Sequence, residues 1–209
     1  MKHTYPIIVA LVITFLVALA FTGIGAGFAL IVGGSAIIAF IVWLLTTYRN
    51  PVDGQKILPL YILAVGMQFI HLTEEFTAGF PREFSALTGS HLSSDAFVLI
   101  AVLGGGILYM VAGIGLLYRH PVANYLLWFF LIGPAGLVNT LAHFTFPFLN
   151  GTPYFPGLIT VLLPTIARTT LAWRVLQDSR HTMTAQDSPV TGVSEAFADA
   201  QEQHADGTT

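Results

Sequence analysis

Six runs of apolar residues, each close to the ~20 positions that a helix needs to cross the hydrocarbon core of a bilayer, constrain this chain more than any other feature. They cover roughly residues 6–22, 28–47, 57–76, 97–118, 123–144 and 157–176. The breaks between them carry turn chemistry: Arg49-Asn50-Pro51-Val52-Asp53-Gly54, then Gly79-Phe80-Pro81-Arg82, then His120-Pro121, then Asn150-Gly151-Thr152-Pro153. Only 9% of the residues are charged and 55% are hydrophobic, against about 25% charged in a soluble domain. A soluble fold could not cover its surface with so few charges, so lipid is the expected surroundings. The expectation is an all-α, polytopic transmembrane bundle of about six helices spanning residues 1–177.

The first run carries an alternative. Lys2 precedes it, and Ala18-Leu19-Ala20 has the small-x-small form of a signal-peptidase site. The short Gly-rich turn to the second run (Gly23, Gly25, Gly27) favours a retained helix. From residue 178 onward the chain changes character. Asp178, Asp187, Glu195, Asp199, Glu202 and Asp206 face one basic residue, Arg180, with few bulky apolar side chains. Such a segment buries too little surface to offset its conformational entropy, so 178–209 reads as a disordered acidic cytoplasmic tail.

Orientation follows from the basic residues. With six spans and the N-terminus inside, Lys2, Arg49, Lys56, Arg119, Arg174 and Arg180 fall on the cytoplasmic side and Arg82 alone outside. Both termini of this multi-pass cell-membrane protein are then cytoplasmic. A net charge of −3 with no basic block argues against nucleic acid as a partner. The absence of cysteine excludes thiolate chemistry and iron–sulfur ligation. The bilayer is the expected partner.

Ionisable groups inside spans cost several kcal/mol unless paired or hydrated. Here they are few: His71, Glu74 and Glu75 in the third run, His143 in the fifth with Asn139 one turn before it, and Arg168 in the sixth. His71 shares a helix face with Glu74 (i,i+3) and Glu75 (i,i+4), and Asn139 with His143 (i,i+4). Gln68 lies one turn below His71. The third and fifth runs both travel outward, so at 1.5 Å per residue the two sets reach one level near the outer leaflet.

The string His71-Leu72-Thr73-Glu74-Glu75, followed by Asn139-x-x-x-His143 and by Tyr154-Phe155-Pro156-Gly157 with Thr160, resembles the HXXEE family of membrane proteins over about residues 60–176. The resemblance implies an integral membrane core with this ionisable set and no particular reaction.

Read as chemistry, imidazole and carboxylate are ligands for zinc and non-haem iron. His71, Glu75 and His143 are the candidate ligands. Glu74 is the candidate general base and Asn139 a group that orients a ligand or polarises a carbonyl. The activity is then a metal-dependent hydrolase or related enzyme acting on a lipid or isoprenoid substrate that enters from the bilayer. A metal-free isoprenoid cyclase or isomerase using a neutral glutamic acid, a proton-coupled carrier, and a non-catalytic scaffold remain as alternatives. Arg168 reads as snorkelling to the cytoplasmic headgroups, with a reach upward to Glu75 or a lipid phosphate as the alternative, and Pro164 as kinking its helix. Tyr154 reads as an interface aromatic, and His91 and Asp95 as a solvated loop. Pro156-Gly157 serves only to start the sixth helix. The glycines Gly104, Gly105, Gly106, Gly113 and Gly115 permit close helix packing.

Overall fold

A computed structural model describes residues 4–187 of the chain. Among these the chain is all-helical. The first two apolar runs form α1 (Thr4–Ala20) and α2 (Ala26–Thr46), joined by a 3₁₀ turn at Phe21–Gly23. α3 (Gly54–Thr77) starts at Asp53, whose Oδ1 accepts from the Gln55 N–H at 3.1 Å. This is N-capping of the usual kind.

The fourth run forms one span, Ser94–Leu117. It comprises a short α5 (Ser94–Phe97), a π-helical stretch at Val98–Gly104 and α6 (Gly105–Leu117). The fifth run is interrupted. α7 (Pro121–Ile132) ends at Gly133, and α8 (Leu137–Asn150) restarts after Gly136. At both glycines an added Cβ would collide with the backbone of the preceding turn, so only glycine permits this break.

Five helical stretches are long and apolar enough to cross a membrane: Thr4–Gly23, Ala26–Thr46, Gly54–Thr77, Ser94–Leu117 and Pro121–Asn150. The sixth run begins differently from expectation. Residues 157–161 are turns, and α9 starts only at Leu162. Pro164 therefore sits in the first turn of α9, where its missing N–H has no intrahelical partner to lose, and it does not kink a formed helix.

α9 also runs ten positions past residue 177, to Asp187. Just past residue 177, Asp178 accepts from the Asp53 N–H at 2.7 Å and lies 3.6 Å from Lys56 Nζ, which ties this turn to the start of α3. The remainder of the acidic tail, 188–209, lies outside the described residues.

The packing hub is α7. Every residue from Val122 to Leu131 is buried, the mark of a helix that is apolar all round. Trp43 of α2, Tyr61 of α3 and Leu116 of α6 pack around it. Polar side chains join the helices in pairs. Thr14 Oγ1 and Tyr125 OH are 2.7 Å apart, Trp128 Nε1 donates to Thr47 Oγ1 at 3.0 Å, and Tyr61 OH donates to the Tyr109 carbonyl at 2.8 Å. Interhelical bonds of this kind are typical in lipid, where no water competes. Large apolar residues such as Phe15, Leu30, Leu45 and Phe148 point outward.

The loop after α3, where Gly79-Phe80-Pro81-Arg82 carries turn chemistry, contains a helix. α4 (Phe80–Thr88) is bounded by Gly79 (φ 81°) and Gly89 (φ 67°), both left-handed, and buries Phe80, Pro81 and Phe84. His91 and Asp95 beyond it are exposed, as expected of a solvated loop.

A buried His–Glu–His centre

The helical period places Gln68, His71 and Glu75 on the buried side of α3. On α8 it buries His143 one turn beyond Asn139. The restart at Leu137 aims this face of α8 at α3. Glu75 Oε1 lies 2.7 Å from His143 Nε2 and 3.4 Å from His71 Nε2. The two imidazoles meet edge to face with ring centroids 4.7 Å apart. Both histidines are fully buried and Glu75 nearly so, at 0%, 0% and 3% exposure. One potential ligand atom from each of the three lies within 4.8 Å of the others, so the group could hold a metal ion. Phe80 of α4 packs on the His143 ring at 5.6 Å and helps exclude water.

Glu74 faces elsewhere. Its Oε1 accepts from Tyr154 OH at 2.8 Å and from the Ile159 N–H at 3.3 Å. Its Oε2 accepts from the Thr160 N–H at 2.7 Å and Thr160 Oγ1 at 2.6 Å. Four donors fill the carboxylate's capacity. The freedom expected of a general base is therefore absent: Glu74 anchors the irregular segment before α9. That segment stays non-helical because its N–H groups point at the carboxylate. Tyr154, expected as an interface aromatic, is one of the anchors. Lost hydration and the Glu74 carboxylate push its phenol up to about 12, so it remains a donor.

Thr160 links the two halves of the site. Its single hydroxyl proton goes to Glu74, so its oxygen accepts from His71 Nδ1, 3.2 Å away. The proton on Nδ1 leaves a lone pair on His71 Nε2, toward which Asn139 Nδ2 donates at 2.8 Å. Metal-binding histidines have this arrangement, with the distal nitrogen donating to an outer partner that fixes the tautomer. His143 Nδ1 is buried without a hydrogen-bond partner. Gly157, at φ 93°, packs directly on the His143 ring, and a Cβ there would also come within 2.9 Å of Glu75 Cγ. It thus does more than start a helix.

Arg168 does not snorkel. It is 3% exposed, donates to Gln68 Oε1 at 2.6 Å and lies 5.8 Å from the centroid of the Phe130 ring. The Gln68 carbonyl and the ring face receive part of the guanidinium, and its Nη2 is buried without a hydrogen-bond partner. The pair sits one helical turn below His71.

The structure brings His71, Glu75, Asn139 and His143 together in one cluster. Thr160 and Gly157 enter it only through the family resemblance, which assigns neither a contact with His71 or His143. Comparisons of the chain with protein-family models, with curated proteins and with solved structures find no match.

Proposed function

We propose that the chain is a metal-dependent membrane enzyme, a hydrolase or a close relative, that acts on a lipid-soluble substrate at His71, Glu75 and His143. The observation that carries the reading is the pairing of His71 Nε2 with Glu75 Oε1 at 3.4 Å. Once Thr160 has fixed the tautomer, two electron-rich atoms face one another there, and an ion between them would displace the Asn139 amide from the His71 Nε2 lone pair. Two ligands 2.0–2.1 Å from one tetrahedral ion are separated by about 3.4 Å. A divalent zinc or ferrous ion fits the donor set, and when bound it supplies Lewis-acid polarisation of a substrate carbonyl. Asn139 orients His71 and lines the adjoining cavity, so its amide can hold the substrate oxygen. Glu74 and Thr160 hold the His71 ring in place, and Phe80 keeps water out. The resemblance to the HXXEE family accords with this reading, as does an orientation with both termini cytoplasmic and the site near the outer leaflet.

A second reading is favoured by one distance. His143 Nε2 and Glu75 Oε1 stand 2.7 Å apart, closer than two ligands of one ion and typical of a charge-assisted hydrogen bond. A proton shared there would serve metal-free acid–base chemistry on an alkene or epoxide. Metal content separates the two. Protein purified in detergent without chelators is expected to hold one divalent ion per chain. His71→Ala and His143→Ala are expected to lose it, and Thr160→Val to weaken binding by about 10- to 100-fold. Folded wild-type protein without stoichiometric metal, still active after chelation, would establish the proton-transfer reading instead.

A further inference from the structure

The buried centre borders a cavity of about 680 Å³ whose lining draws on α1, α2, α3, α4, the π-helical stretch and α8. We infer that this cavity takes an uncharged long-chain lipid bearing a single hydrogen-bonding group, entering sideways from the acyl-chain region. This deepens the proposed function, on which it rests, by naming the substrate's chemical class.

Charge is the first argument. No lysine or arginine lines the cavity among the described residues, and its one ionisable carboxyl is Glu75. An anionic headgroup would meet no cation on the lining, since Arg168 stands behind Gln68 and donates to it, and it would face a carboxylate, a cost of several kcal/mol in a low-dielectric space. Phosphate- and carboxylate-bearing lipids are therefore disfavoured.

The placement of the polar groups is the second. Gln68 and Glu75 from α3 and Asn139 from α8 bring polar groups to the cavity beside the candidate ligands, with the Tyr109 phenol of α6, while Phe21, Phe28, Phe84 and Phe97 line it from other elements. A molecule with one polar end and a hydrocarbon body matches that asymmetry. At about 30 Å³ per water-sized unit, the volume suits on the order of 20 heavy atoms.

The mouth is the third. Ile31, Leu99 and Leu141 line the cavity and are also 52%, 62% and 57% exposed. Thr145 joins them, but its hydroxyl donates back to the Leu141 carbonyl. An opening rimmed by such residues on membrane-spanning elements faces acyl chains. Leu99 belongs to the π-helical stretch, whose extra residue per turn pushes side chains off the regular helical register; such insertions are frequent at functional sites. Gly104 ends that stretch and lines the cavity, with only the Leu99 carbonyl near its absent side chain.

The test uses the full chain in detergent, photolabelled with a 16-carbon alcohol carrying a mid-chain diazirine, and in parallel with the corresponding alkyl phosphate. Expected are labels on peptides containing Leu99 and Phe146 from the alcohol, and about tenfold less from the phosphate. Unlabelled alcohol competes and unlabelled alkyl phosphate does not. Gly104→Leu, and independently Ala101→Phe, cut labelling by about tenfold by filling the cavity, with metal content unchanged. Labelling by the phosphate equal to or above that by the alcohol would overturn the inference, as would folded variants labelled like wild type. Competition alone decides the matter if neither variant folds. Chelator-stripped protein labels normally if the cavity acts as inferred, so loss of the metal reading and loss of this one give different results.

Discussion

Gly157→Ala is expected to destabilise the protein by ~2–6 kcal/mol and to abolish metal binding. Two costs combine. At φ 93° an L-residue is held in a sparsely populated backbone region, at about 1–3 kcal/mol. The added Cβ also collides with the His143 imidazole and comes within 2.9 Å of Glu75 Cγ. Overpacking of this sort costs about 1–3 kcal/mol. Neither neighbour can retreat easily, since His143 is bonded to Glu75 and covered by Phe80. Gly151→Ala is the control. Gly151 has a similar φ of 66°, but nothing lies within 4 Å of its missing Cβ. Its substitution should cost only about 1 kcal/mol and leave metal binding unchanged. Thermal unfolding of the two purified variants, followed alongside metal content, checks both statements.

Glu75→Gln should leave the fold largely intact and lower metal affinity by more than about 100-fold, since losing even an outer-shell partner costs 10- to 100-fold. The substitution keeps the volume of the side chain but removes the charge that both imidazoles address. Activity on any lipid substrate should fall with the metal, and the diazirine alcohol should still label the cavity. Equilibrium metal titration of the wild type and the variant, with circular dichroism as the fold control, makes the comparison.

The parts of this site that the sequence revealed are those governed by helical period. His71 and Glu75 fall on one face because they are four residues apart, and Asn139 and His143 for the same reason. That the two faces meet followed from matching depths along α3 and the fifth run. Partners in irregular backbone stayed hidden. The letters Gly157-Leu158-Ile159-Thr160-Val161 look like the start of an apolar helix, yet their amides turn toward Glu74 and defer the helix to Leu162. The carboxylate won that competition because two N–H groups with a hydroxyl and a phenol satisfy it fully, where one more helical turn would have left it bare. The break at Gly133–Gly136 was equally hidden, since Gly and Pro are tolerated inside membrane helices. The π-helical stretch has residues that suit an α-helix just as well. Arg168 was misread because snorkelling needs only a long side chain, whereas its burial depends on Gln68, a hundred positions away.

The most direct measurement is the X-ray absorption spectrum at the edge of the metal that copurifies with the detergent-solubilised protein. Two imidazole nitrogens and one carboxylate oxygen at about 2.0–2.2 Å, with one imidazole lost in His143→Ala, is the result expected of His71, Glu75 and His143 as ligands. A first shell without imidazole, or one that His143→Ala leaves unaltered, would contradict it.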